Sequence, residues 1–120
     1  MISIYVHPTC TSCRKATELL RGLDVEVERR DYFQNPFTRD ELRSVLAAAA
    51  RTPGEMVSTR ARAYRDLDIA ARQPSDDELI GLMVDEPRLL RRPLAISRGR
   101  SAVGFDAGAL TALADLERDR

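Results

Sequence analysis

The chain has 120 residues, 43% of them hydrophobic, with six glycines; this is enough for one compact domain with a buried core and too little for a second. Nineteen basic and nineteen acidic side chains cancel to a formal net charge of zero, which excludes broad electrostatic attraction to nucleic acid or to an anionic membrane. The central uncharged stretch, residues 44–50, is far shorter than the ~20 apolar residues that span a bilayer. Residues 2–6 are apolar but follow no basic segment and run into His7-Pro8-Thr9-Cys10, unlike a secretory signal, so a cytoplasmic location is expected.

Ile2, Ile4 and Val6 alternate with Ser3, Tyr5 and His7, and this period of two predicts a first strand ended by Pro8. From Thr11 the apolar positions Ala16, Leu19, Leu20 and Leu23 share one helical face, and Gly22 with Asp24 marks the close of that helix. Val25 and Val27, alternating with Glu26 and Glu28, predict a second strand that runs into Arg29-Arg30-Asp31 before a loop at Pro36. Thr38 and Glu41 have capping-box spacing, and Leu42, Val45, Leu46 and Ala49 continue a helical stripe that Pro53-Gly54 is expected to break. Residues 56–68 read as one or two short helical segments. Ser75 and Glu78 form another capping pair ahead of Leu79, Ile80, Leu82 and Met83, and Pro87 opens a short turn with Leu89 and Leu90. Leu94-Ala95-Ile96 and residues 102–105 flank Ser97-Arg98-Gly99-Arg100 as a hairpin, and Asp106 is placed to cap a final helix. The order β-α-β, helices, β-β-α predicts an α/β fold with a thioredoxin-like mixed sheet. One domain is expected over residues 1–120, with its core in 1–35 and 88–120 and a helical insertion over about 36–87.

Cys10 and Cys13 are the only cysteines, and a pair three apart cannot staple a fold of this size. Their position after a strand and at the start of a helix points to chemistry. Free backbone N–H groups and the positive end of the helix dipole favour a thiolate at Cys10, the attacking sulfur, while Cys13 one turn later is placed to resolve a mixed disulfide. Arg14 and Lys15 add local positive charge. The alternatives are half of a zinc site and an inert buried pair. Structural zinc takes four ligands, and only Cys10, Cys13 and His7 stand near one another here, so no metal and no cofactor is expected.

Three separated motifs carry a resemblance: Cys10-Thr11-Ser12-Cys13-Arg14-Lys15-Ala16, Ser58-Thr59-Arg60 and Leu89-Leu90-Arg91-Arg92-Pro93. In their order they are similar to the family that joins glutaredoxin-coupled arsenate reductases with Spx-type redox-sensing transcription regulators. The resemblance implies a reactive Cys10, a cis proline at Pro93 and two anion-binding arginines, Arg60 and Arg92. Guanidinium forks suit a tetrahedral anion because they donate paired hydrogen bonds. The third arginine of the reductases would fall near Gly104-Phe105, where none stands, leaving Arg98 or Arg100 to reach inward. A second cysteine at the position of Cys13 belongs to the Spx-type pattern. That branch implies binding to the C-terminal domain of the RNA polymerase α subunit through a surface with a glycine before the Ser-Thr-Arg motif, here nearest to Gly54. The reductase branch implies glutathione with glutaredoxin as the source of electrons, whereas a Cys10–Cys13 disulfide is expected to be reduced by a thioredoxin-type partner.

The bland readings stand beside these. Arg60 could be an exposed helix arginine and Arg92 half of an ion pair. His7 reads as a strand-end residue hydrogen-bonded to the loop rather than a general base, and Asp76, Asp77 and Glu78 read as capping residues rather than a carboxylate site. The sequence therefore predicts a thiol–disulfide protein acting through Cys10 and Cys13. A transcription regulator with the same disulfide as its switch, and an arsenate reductase, remain as alternatives.

Overall fold

The structure, a computed structural model, describes residues 1–118. Strand β1 (Ile2–Val6) pairs in parallel with β2 (Val27–Asp31) and antiparallel with β3 (Leu94–Ser97), which pairs antiparallel with β4 (Arg100–Val103); the sheet order is β2-β1-β3-β4. The helices are α1 (Thr11–Gly22), α2 (Arg39–Ala49), α3 (Pro53–Met56), α4 (Arg62–Asp66), α5 (Ile69–Arg72), α6 (Asp76–Asp85) and α7 (Ala107–Arg118), with a 3-10 turn at Pro87–Leu89.

The sheet separates two apolar layers. Alternation sends Ile2, Ile4 and Val6 of β1 to one face, where they pack on Ala16 and Leu20 of α1 and Leu110 and Leu113 of α7. Leu94 and Ile96 of β3 face the other way, onto Leu42, Leu46, Met56, Leu79, Met83 and Leu90. Each fully buried Leu or Ile contributes roughly 1.5–3 kcal/mol, so the two layers hold the central strands firmly. Where β1 leaves the sheet, its end is therefore a rigid base for the cysteine turn.

Capping follows the sequence closely. Thr38 with Glu41 and Ser75 with Glu78 make the expected boxes, and Asp106 accepts from the Ala109 N–H at 3.0 Å. Pro53-Gly54 behaves differently from its expected role. Helix α2 already ends at Ala50, which is left-handed at φ 55°, and Pro53 is instead the first residue of α3, inside a third box made by Thr52 and Glu55. Proline fits there because the first helical N–H has no partner to lose. The β3–β4 turn uses Arg98 and Gly99, both at positive φ, as a tight two-residue hairpin requires. No helix among the described residues is long and apolar enough to cross a membrane.

Candidate functional site

The chain leaves β1 at Val6, turns through His7-Pro8-Thr9 and enters α1 with Cys10 as its N-cap. Cys10 has extended backbone angles, so its sulfur folds over the first helical turn and accepts the Cys13 N–H at 3.3 Å. Cysteine thus occupies the place where serine or aspartate usually satisfies a free helix N–H. Cys10 is partly exposed, whereas Cys13 is 2% exposed and packs with Ala16 and Leu20. Both sulfurs are unbonded.

The two thiols are driven apart in acidity. Partial burial pushes Cys10 up, but hydrogen bonds from the Cys13 side chain and amide, the charge of Arg92 and the Ser12 N–H together outweigh it and hold Cys10 below the ordinary thiol value. Burial pushes Cys13 the other way, up to about 12, helped by its donation to Cys10 and by the nearby Cys10 charge. A thiolate at the surface with a protonated thiol behind it is the arrangement of an attacking and a resolving cysteine.

Around Cys10 lies a depression of about 270 Å³ lined by Ser58, Leu90, Arg91, Arg92 and Gly104. Its wall comes from two distant segments joined by a short antiparallel contact. Val57 bridges Leu90, the Ser58 N–H donates to Leu89 O at 2.6 Å, and the Arg91 N–H donates to Met56 O at 2.8 Å. The Arg92–Pro93 peptide is cis, and Pro93 O accepts the Gly104 N–H at 2.9 Å, which ties this segment to the end of β4. Arg92 lies over the Phe33 ring at 5.6 Å, and its Nε is buried without a partner among the described residues. Buried Tyr32 beside it donates its hydroxyl to Leu90 O at 3.4 Å, and burial pushes its phenol up against the opposing pull of Arg92.

Arg60 stands elsewhere. It is exposed and lines a neighbouring depression with Gly54, Glu55 and Thr59; Ser58 and Arg91 line both hollows and form the ridge between them. Arg98 and Arg100 do not reach inward. Their hairpin lies at the opposite end of the sheet, because Ser97 pairs with Arg100 beyond the register Ser3↔Ile96, while Cys10 follows the far end of β1. Arg98 instead pairs with Glu117 at 3.6 Å.

His7 accepts the Thr9 N–H on Nδ1 at 3.1 Å, lies 3.0 Å from the Thr9 hydroxyl and meets Phe33 edge-on, as a loop-holding residue does. Burial and Arg92 push its pKa down. Sequence reasoning missed Tyr32 and Phe33. Their only signal was an aromatic pair after a charged strand end, which carries no chemistry until the fold brings Arg92 against it. Among the described residues no group of three or more His, Cys, Asp or Glu side chains converges as a metal site.

A Cys-x-x-Cys pair on the strand-to-helix turn of a mixed four-stranded sheet, with a cis Arg92–Pro93 segment alongside, defines a thioredoxin-like protein. The chain belongs to the ArsC family, whose profile matches residues 5–113. It is 34% identical over 119 residues to the global transcriptional regulator Spx of Streptococcus pyogenes serotype M1, covering 99% of this chain and 87% of that one. The regulatory protein MgsR of Bacillus subtilis strain 168 is 30% identical over 112 residues, 93% of this chain and 89% of MgsR. The solved arsenate reductase of Vibrio cholerae shares the fold at a TM-score of 0.84 and 22% identity, over 93% of this chain and 96% of that one.

Proposed function

We propose that this chain is a cytoplasmic thiol–disulfide redox protein in which Cys10 attacks and Cys13 resolves. The observation that carries this reading is the Cys10 sulfur at the N-cap of α1, bonded by the Cys13 N–H at 3.3 Å, with the Cys13 thiol buried behind it. The Cys10 thiolate attacks one sulfur of a partner disulfide, forming a mixed disulfide and releasing the other sulfur as a thiolate. Cys10 is then neutral, so the charge that helped keep the Cys13 proton in place is gone. Cys13 loses its proton to solvent and attacks the Cys10 sulfur, closing Cys10–Cys13 and releasing the second partner thiolate. Two electrons pass from the pair to the partner. A thioredoxin, or glutaredoxin with glutathione, returns them by the reverse exchange.

The named relatives favour a regulatory use of the same pair. Spx and MgsR are named as regulators and align over nearly the whole chain. In this reading the disulfide is a switch that alters affinity for the C-terminal domain of the RNA polymerase α subunit. The hollow lined by Gly54, Arg60 and Arg91 is the surface we assign to that contact, with Arg91 joining it to Cys10. Arsenate reduction has less support, because of the two implied anion-binding arginines only Arg92 lines the Cys10 depression, while Arg60 lines the neighbouring hollow.

Intact mass after mild oxidation tests the chemistry: the monomer should lose two hydrogens, and Cys13→Ser should accumulate mixed disulfides at Cys10. Absence of the two-hydrogen loss would overturn the reading. Affinity for the polymerase domain, measured for the reduced and oxidised forms, tests the switch; equal affinities would leave catalysis alone standing.

A further inference from the structure

A third depression, of about 260 Å³, lies between α1 and β2, and it shares no lining residue with the other two hollows. His7 and Cys13 line it on one side, and Arg14, Glu18, Arg21 and Arg29 supply its charge. Arg14, Glu18 and Arg21 fall at i, i+4 and i+7 on one stripe of α1, which separates the Cα atoms of the two arginines by roughly 10 Å along the helix axis. Arg29 approaches from the sheet. The register Ile4↔Arg29 puts it on the same face as Ile4, which packs beneath α1, at a position where alternation would otherwise place an apolar residue.

None of these three arginines makes a side-chain hydrogen bond or ion pair among the described residues, whereas adjacent Arg30 pairs with Glu41 at 3.0 Å. Three guanidiniums against one carboxylate leave an excess of two positive charges in a chain whose net charge is zero. Arg14 also stands in the first turn of α1, at the positive end of the helix dipole, where a cation is disfavoured. Its charge is not what activates Cys10, since the guanidinium acting there is Arg92. Local rules broken at two positions around one hollow, Arg14 against the helix dipole and Arg29 against the strand alternation, mark a binding site rather than a solvated face.

We propose that the α1–β2 groove docks an extended acidic segment of a partner protein, with successive carboxylates on Arg14, Arg21 and Arg29. Arg14 and Arg21 leave α1 two turns apart and Arg29 faces them from β2, the edge strand, so a chain can lie along the groove without displacing any element. A guanidinium fork donates two parallel N–H bonds to the two oxygens of one carboxylate. This inference is independent of the redox reading.

A hexaglutamate peptide titrated into the full chain at 150 mM salt, followed by amide chemical shifts, provides the test. Saturable shifts concentrated at His7, Arg14, Arg21 and Arg29 are expected, with binding weakened at least tenfold by combined Arg14→Glu, Arg21→Glu and Arg29→Glu. The combined Arg→Gln variant, milder for folding, should weaken it by a smaller factor, and Arg65→Glu on α4 should leave it unchanged. Cys10→Ser should bind as the wild type does, which separates failure of this inference from failure of the redox reading. Shifts centred on Arg60 and Arg91, undiminished binding by the Arg→Gln variant, or displacement of the peptide by equimolar inorganic triphosphate would overturn the proposal, the last by making the groove a small-anion site.

Discussion

The amide of Cys13 points at the sulfur of Cys10 from 3.3 Å while the thiol of Cys13 is itself 2% exposed. One residue thus stabilises its neighbour as a thiolate and remains protonated and shielded. Iodoacetamide at pH 7 should therefore label Cys10 first, at least ~100-fold faster than Cys13, because only the thiolate attacks. The labelling rate should rise with pH about a midpoint below the ordinary thiol value, as the lowered Cys10 pKa requires. Peptide mapping that finds Cys13 modified first would reverse the assigned roles.

The same split in acidity gives the reduced protein a defined pH dependence of stability. Cys13 keeps its proton in the folded state up to about 12, while the unfolded chain releases it near the ordinary ~8.5. Between those values the folded state binds more protons, so stability falls as pH rises, by at most about 1.4 kcal/mol per pH unit for this group. Cys10 works in the opposite sense. Its lowered pKa contributes stability above the unfolded value that is lost as pH falls through the folded one. Urea unfolding of reduced protein from pH 6 to 10 should show a decline above about pH 8.5 that Cys13→Ala flattens. An equally steep decline in that variant would show that Cys13 is not its source.

What the sequence revealed was what short-range patterns specify. The alternation of Ile2, Ile4 and Val6, the capping pair Thr38 and Glu41 and the hairpin around Gly99 each encode an element within a few residues, although the hairpin's four-residue connection closes to Arg98-Gly99 and β4 starts at Arg100. The cysteine turn was legible for the same reason, since the strand end, Pro8 and the helix start are contiguous. The wall of the Cys10 depression was not. Ser58 and Arg91 stand in motifs that point to Arg60 and Arg92, yet they meet each other through the Val57–Leu90 bridge, which no local pattern announces. Pro53-Gly54 misled for a related reason: the pair stops a helix as readily as it starts one, and the Thr52–Glu55 box decides which.

Ser101 of β4 ties the C-terminal end of α2 to the sheet. Its hydroxyl donates to Ala49 O at 2.7 Å, at the C-terminal end of α2, and accepts from Arg51 Nε at 2.8 Å. Ser101→Ala leaves a helix-end carbonyl and a half-buried guanidinium without that partner, a loss of about 1–3 kcal/mol. Because Arg51→Ala removes one of the same bonds, the double variant should cost less than the sum of the singles. Denaturant titration of all three checks this, and strict additivity would mean that the two residues do not act together.

Arg92 and Arg60 should separate cleanly in their effects on Cys10. Arg92 lines the Cys10 depression and its charge lowers the thiol pKa, so Arg92→Gln should move the labelling midpoint upward. Arg60 lines the next hollow, across the ridge of Ser58 and Arg91, and Arg60→Gln should leave the midpoint where it was. Anion affinity follows the same geometry. A charge-assisted bond is worth ~1.5–3 kcal/mol, and lacking one bidentate arginine weakens binding by one to two powers of ten, at about 1.4 kcal/mol per tenfold. No arginine stands at Gly104 or Phe105, and Arg98 and Arg100 are at the far end of the sheet. Arsenate with glutathione and glutaredoxin should therefore turn over poorly, while a thioredoxin should reduce the Cys10–Cys13 disulfide readily. Steady-state kinetics discriminate: efficient arsenate turnover that Cys10→Ser abolishes and Cys13→Ser preserves would make Cys13 a bystander and the chain an arsenate reductase.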